Sequence, residues 1–395
     1  MSLQAEAEYE TTLLLAVLRS YFGFDVVETL ASSIRSVTDW KSIRNLAEAH
    51  RVVPLVFPVL EKLPLQLFPE ADRSSWRDLQ RKRVLASLHL TSELVRLSVI
   101  FQARGIASAC LKGPALSMLL YGNPGARTSI DLDFLIAPRD LIPARDALLS
   151  NGFQMGSAVH WECESAYHRS VNSEFTLYRD EVSVDLHWQV LPEYFPFLLN
   201  ATDMMGRARK HRLGGHELTV LSVEDNLLFL AAHGAKHQWE RLQWACDFAR
   251  LIQGSSVDWG RVAALCSTIE NRFVVAHALA VVRRLFGLVL PDACSDFVDE
   301  RAESLAQSVV TGLSLRRGKK PGTLEMARYI AQFTRSPRKL ARLIHGLTFA
   351  PTEAEWQLVK LPASAYGLYY PIRVGRLLFK HLIARPFSRL VNGIN

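Results

Sequence analysis

Residues 126–136, "ARTSIDLDFLI", set two aspartates one residue apart inside a run that otherwise has the composition of a buried strand. In a strand, residues two apart share a face, so Asp131 and Asp133 point one way while Leu132, Phe134 and Ile136 point the other. Two carboxylates on one face repel and lose hydration unless a cation neutralises them. The run therefore predicts a strand with a cation site on one side. Magnesium suits it, because it prefers hard oxygen ligands and is commonly held by one or two carboxylates plus substrate phosphates.

A third acid stands in "VSVDLHW", where Asp185 lies between Val184 and Leu186 on another predicted strand and faces the same way as His187. Three inward carboxylates can hold two metal ions, one activating an acceptor hydroxyl and one stabilising a leaving pyrophosphate. Phosphate-binding parts lie close by. "LKGPA" follows a short apolar stretch and opens a helix, where unpaired backbone N–H groups favour anions. Lys112 adds a mobile charge, Gly113 permits close backbone approach, and Arg127 can offer a bidentate phosphate contact.

The surrounding pattern predicts an α+β fold. Residues 1–104 place apolar residues at spacings of three and four, in "TTLLLAVLRSYF", "WKSIRNLAEAH", "VVPLVFPVLEKL" and the run from Asp72 to Arg104. The texture changes at Gly105, and residues 105–221 read as an α/β core of short strands, at "IASACLKG", "IDLDFLI", "AVHWECE", "EFTLYR" and "VSVDLHWQV", with a hairpin turning at Gly214–Gly215. Residues 222–395 read as helical again, opening with Ser222 as a cap and ending in a basic tail. The expected architecture is a small mixed-sheet core between two helical regions.

Composition bounds the rest. At 395 residues the chain has room for two or three domains of about 150 residues. Its 49% apolar and 22% charged residues match a globular protein, and no uninterrupted apolar stretch approaches the roughly 18 residues of a membrane span. "MSLQAEAEYE" lacks the basic and apolar regions of a signal peptide, so a cytoplasmic location is expected. Five cysteines, Cys110, Cys163, Cys246, Cys266 and Cys294, form no CxxC pair and read as reduced thiols. Residues 301–395 hold 16 Lys/Arg against 4 Asp/Glu, which makes them +12 and, with +7 for the whole, leaves −5 elsewhere. That asymmetry fits either a polyanionic partner or a solvated helical surface. In "YYPIRVGRLLFKHLIARPFSRLV", Arg373, Arg376 and Lys380 line an amphipathic stretch that reads foremost as a helix packed on the body.

"LKGPALSMLLYGNPGARTSIDLDFLI", then "VDLHW", then "HGAKHQWERLQWACDFARLI" together resemble the bacterial uncharacterised nucleotidyltransferase family of the polymerase-β-like nucleotidyltransferase superfamily, from about Val52 to "LPASAYGLYYPIRVGRLL". The resemblance implies transfer of a nucleoside monophosphate from a nucleoside triphosphate such as ATP to an acceptor hydroxyl on a small molecule, a peptide or protein, or a glycan. Two divalent ions, magnesium or alternatively manganese, would be held by Asp131, Asp133 and Asp185, with Asp185 also activating the acceptor. It further implies substrate contacts at Lys112, Gly113, Arg127, Ser129, His187, His233, His237 and Arg241. His233 and His237 share one helical face, with Arg241 a turn further on and Trp244 beside it, a stripe that reads equally as cleft lining or core. "LKG" stands where better-known members carry a Gly-Ser phosphate loop. Two rival readings follow: a nucleotide-binding or scaffold protein that kept the fold and lost turnover, and an RNA-modifying nucleotidyltransferase served by the basic C-terminal region.

Overall fold

The computed structural model describes residues 3–24, 30, 34, 37, 39–156, 174–295, 297–316 and 318–379. Among the described residues, helices Leu3–Tyr21, Trp40–Ala49, Val53–Leu60 and Glu70–Ala103 precede the first strand, as the spacing of their apolar residues requires. The last of them buries Leu90, Leu94, Leu97 and Phe101, residues three or four apart on one face. It is also long enough, and over 18 residues apolar enough (mean hydropathy 1.5), to match a membrane-crossing segment by length and composition. Its buried stripe packs in the core beneath the sheet, with Phe101 edge-on to Phe134 at 5.2 Å.

Seven strands follow: β1 Ser108–Cys110, β2 Leu132–Ile136, β3 Gln154–Met155, β4 Glu174–Arg179, β5 Val182–His187, β6 Arg209–Leu213 and β7 His216–Val220. They form one sheet in the order β3-β4-β5-β2-β1-β7-β6. β2 runs parallel to β5 and β1 parallel to β7, while the remaining neighbours are antiparallel. The fold is α+β with a mixed sheet, and the hairpin turns between Leu213 and His216 as read. β7 pairs with β1, so the hairpin extends the sheet. The strand expected at "AVHWECE" and Cys163 lie outside the described residues, and β3 comes just before them.

The sheet has two chemically distinct faces. Leu132, Phe134, Ile136, Leu177, Val184 and Leu186 join the long helix in one apolar core, each side chain gaining about 1.5–3 kcal/mol from burial. Ala109, Leu111 and Leu135 face the other way, into a second core built with the flanking helices. Those on the C-terminal side begin with Val223–Lys236, where Ser222 accepts from the Asp225 amide at 3.1 Å, and Leu242–Gly254; no strand follows Ser222 among the described residues. Helix Tyr369–Leu378 docks through Tyr369, stacked on Trp356 at 4.1 Å, and Arg373 and Arg376 both pair with the buried Glu355. Two of the three basic residues singled out there are thus neutralised inside the protein; Lys380 lies outside the described residues. Cys110, Cys246, Cys266 and Cys294 are free thiols.

His277, buried in helix Ile269–Phe286, contacts the Tyr329 hydroxyl at 2.7 Å, and burial lowers its pKa to about 3. Between that value and the ordinary 6.5, the folded chain binds fewer protons than the unfolded one. The stability that neutral His277 contributes is therefore complete above pH 6.5 and lost as pH falls toward 3. Replacing His277 with Asn should flatten the pH dependence of unfolding free energy across that window, read by urea titration at successive pH values.

Candidate active site

The parallel pairing of β2 with β5 sets Asp133 beside Asp185 and Leu135 beside His187. The antiparallel pairing of β4 with β5 sets Thr176 beside Asp185 and Glu174 beside His187. Directly paired residues share a face, so three strands contribute Asp133, Asp185, His187, Glu174 and Thr176 to one side of the sheet. Asp133 is buried, and its Oδ1 lies 2.9 Å from both Lys112 Nζ and His187 Nε2. On the far side of the imidazole, Nδ1 lies 3.0 Å from Glu174 Oε2.

These contacts sort the charges. Burial opposes ionisation of Asp133, yet Lys112 and His187 hold its carboxyl well below the usual carboxylate range. Burial likewise works against a charged His187, but Glu174 and Asp133 raise it to about 9. Asp185 goes the opposite way: burial first and then the Asp133 charge push it up to about 7. Two carboxylates on adjacent strands therefore differ in proton affinity, one held ionised and one poised near neutrality, a division common where acid–base chemistry is done.

The ligand atoms of Asp133, Asp185 and His187 lie within 4.8 Å of one another, a grouping that could hold a metal ion. The donor set fits one. Asp133 Oδ2 and Asp185 Oδ1 are buried without a hydrogen-bond partner, which is costly for carboxylate oxygens unless a cation takes up their lone pairs. Glu174 behind His187 matches the carboxylate–histidine support usual around metal-binding imidazoles. This trio differs from the expected Asp131, Asp133 and Asp185. β2 starts at Leu132, so Asp131 sits on the bend before the strand, where strand alternation no longer dictates its direction. Burial and Asp133 raise its pKa, while Lys112, Arg127 and Arg51 act against that rise.

Lys112 precedes helix Gly113–Tyr121 and reaches back to Asp133, and the Leu111 amide donates to the Asp133 carbonyl at 3.0 Å. Gly113 has φ +66°, and a Cβ there would come within 3.4 Å of the Asp131 carbonyl. "LKG" thus keeps the helix start against the acid strand, which explains the glycine. Arg127 is less available than its sequence position implied. Buried, it donates from Nε to Asp247 Oδ2 at 2.7 Å, and Tyr121 donates to the same carboxylate at 3.1 Å. Ser129 is buried in the same loop, its Oγ without a hydrogen-bond partner.

Across from the acids stands helix Val223–Lys236. His233 and His237 approach ring to ring at 4.8 Å, and each lies 5.1 Å from Trp244. Arg241 lies 6.0 Å over Trp244 and 3.7 Å from Glu240. Burial, followed by Lys112 for His233 and by Lys236 for His237, keeps both imidazoles far below their ordinary pKa and neutral. The charges of Lys112 and Lys236 reach both rings, so the stripe lies close to the lysines that flank the acids. The turn that seats it depends on Gly234, because a Cβ there would come within 2.6 Å of the buried Trp239 ring.

Four residues near these groups went unread in the sequence. Glu174 and Thr176 had a visible signal, since "EFTLYR" alternates polar and apolar positions beside the strand of Asp185. Lys236 had none beyond its place between the two histidines, yet its charge reaches Glu174, Lys112 and Asp133. Arg51 lies some 80 residues from Asp131 in sequence and acts on it in space.

Sheet and acid cluster together make a mixed-sheet core with a centre that could hold a metal ion. The profile described as uncharacterised nucleotidyltransferase matches residues 36–287, and the chain belongs to that family. A search of the curated proteins finds no match.

Gly234→Ala should cost about 1–3 kcal/mol in unfolding free energy, because the Trp239 ring is fully enclosed and cannot yield cheaply. Asp247→Ala should cost about 3–5 kcal/mol by leaving Arg127 buried and unpaired, and Arg127→Met in that background should recover part of the loss. Chemical denaturation reads both.

Proposed function

We propose that the chain is a metal-dependent nucleotidyltransferase that moves a nucleoside monophosphate from a nucleoside triphosphate to an acceptor hydroxyl. The observation that carries this reading is the Asp133–Asp185 register on parallel strands, with one buried, unpartnered oxygen on each carboxylate and His187 in the same cluster. Asp133 and Asp185 would hold the ion, with His187 the third donor once the ion takes the place of its proton, and Glu174 orienting it. Once bound, a divalent ion would supply charge neutralisation for the phosphates and an acidified acceptor hydroxyl. Magnesium fits the two carboxylates, and manganese accommodates the imidazole nitrogen as well.

The side chains divide the remaining work. Lys112 and Lys236 supply positive charge beside the acids, where the triphosphate would lie. The acceptor oxygen attacks the α-phosphorus, the bond to pyrophosphate breaks, and the acceptor proton passes to a carboxylate. Asp185, beside Asp133 on the same face of the sheet, is the carboxylate assigned that role. Asp131 stands at the edge of the same site as a further metal contact. The acceptor is a small molecule, a peptide or protein, or a glycan.

A second reading, a nucleotide-binding protein without turnover, draws on one observation: the Lys112 ammonium already sits 2.9 Å from Asp133, a cation built into the acid pair. One experiment separates the two. The protein is incubated in a cell lysate with each labelled triphosphate and Mg2+ or Mn2+, and label transfer and pyrophosphate release are measured. Turnover should appear with at least one triphosphate and vanish with chelator. Asp133→Asn and Asp185→Asn should each reduce it by about 100-fold or more while circular dichroism shows an intact fold. Full activity in Asp185→Asn would sink the mechanism.

A further inference from the structure

On the Asp131 side of the site lies a cavity of about 90 Å3 lined by Glu48, Arg51, Val53, Arg83, Thr128 and Ile130. Four arginines meet around it: Arg51 and Arg83 in its wall, with Arg127 and Arg241 near enough to act on Arg51. Three have carboxylate partners, Arg83 in Glu48, Arg127 in Asp247 and Arg241 in Glu240. Arg51 forms no ion pair among the described residues, and the carboxylate that acts on it is Asp131. Burial and then Arg241 draw its pKa down to about 10, so its charge is held there at a cost.

The backbone adds a second, independent observation. Arg51 follows the helix Trp40–Ala49 with φ +59°, in the left-handed region where glycine is the favoured residue. Its amide donates to the Glu48 carbonyl and that of Val52 to the Ala47 carbonyl, both at 2.9 Å, the hydrogen bonding of an ordinary helix end. Nothing in that ending needs a side chain. The corner is held rigidly all the same. His50 Nδ1 accepts from the Leu242 amide at 3.3 Å, the Gln243 amide donates to the His50 carbonyl at 3.2 Å, and Gln243 Nε2 donates to the Thr128 carbonyl at 3.0 Å. A long cationic side chain is thus kept where glycine would be less strained, aimed into a cavity beside the acids.

We infer that Arg51, with Arg83 and Thr128 beside it, forms an oxyanion subsite that grips a phosphate-like group of a substrate. The guanidinium fork matches such a group in two parallel hydrogen bonds, and an anion would relieve the mutual repulsion of the arginines. Resting on the nucleotidyltransferase reading, the subsite has two possible sources for its anion: the donor's own phosphates, or a phosphate or carboxylate carried by the acceptor.

The test uses the full chain as wild type, Arg51→Gly and Arg51→Lys, titrated calorimetrically with inorganic phosphate and separately with each Mg2+–nucleoside triphosphate. Arg51→Gly should fold and melt no lower than wild type, because glycine suits the left-handed position. It should lose affinity for one of these probes by on the order of 10- to 100-fold, and Arg51→Lys should recover only part of it. Weakened triphosphate binding, with phosphate competing for it in wild type, assigns the subsite to the donor. Phosphate binding that persists beside saturating triphosphate and is lost in Arg51→Gly assigns it to an anionic acceptor. Unchanged affinity for both probes in Arg51→Gly, or wild type binding neither, overturns the inference. Wild type that binds phosphate through Arg51 but no triphosphate would sink the nucleotidyltransferase reading and leave the subsite standing.

Discussion

The parallel pairing of β2 with β5 is the interaction on which the rest of the site depends. It brings together acids 52 positions apart in sequence, Asp133 and Asp185, on one face of a sheet whose other face is apolar. Because side chains alternate along a strand, one residue of slip between the two would put the carboxylates on opposite faces and turn one of them into the core beneath. Phe134, Leu186 and the long helix hold that register through hydrophobic burial, so the packing of one face sets the chemistry of the other.

Around the acid pair the protein places cations in graded company. Lys112 and His187 lean directly on Asp133, Lys236 stands opposite, and the arginines gather on the Asp131 side. None of these groups is costless to bury, and carboxylates and cations in such proximity persist because each offsets the desolvation of another. Asp185, with the least cationic support, is the one left with its proton affinity near neutrality. Such an arrangement suits a site that receives both metal and phosphate, each entering a field prepared for it.

Much of the fold was legible in the residues. Helical spacing marked the flanking elements, the glycine pair turned the hairpin as read, and the alternation of "IDLDFLI" identified the acid strand. Arg127 shows where such reading stops, since a loop arginine four residues before an aspartate looks like a phosphate clamp until its partner is seen. That partner, Asp247, stands 120 positions later on another helix, and nothing local predicts the pair. The same holds for Arg51, whose setting is made by the helix starting at Leu242 and by the loop at Thr128.

What the sequence by itself determined is the local grammar: which stretches are helix or strand, and which residues alternate within a strand, because backbone periodicity is a property of neighbours along the chain. Tertiary structure alone decided the company those acids keep. The parallel register brought Asp185 and His187 to Asp133, and started β2 one residue too late to hold Asp131 on its face. It also gave Arg127 to Asp247 and left Arg51 without an ion pair among the described residues. Charges interact through space, and the distances that rank those interactions exist only once the chain has folded.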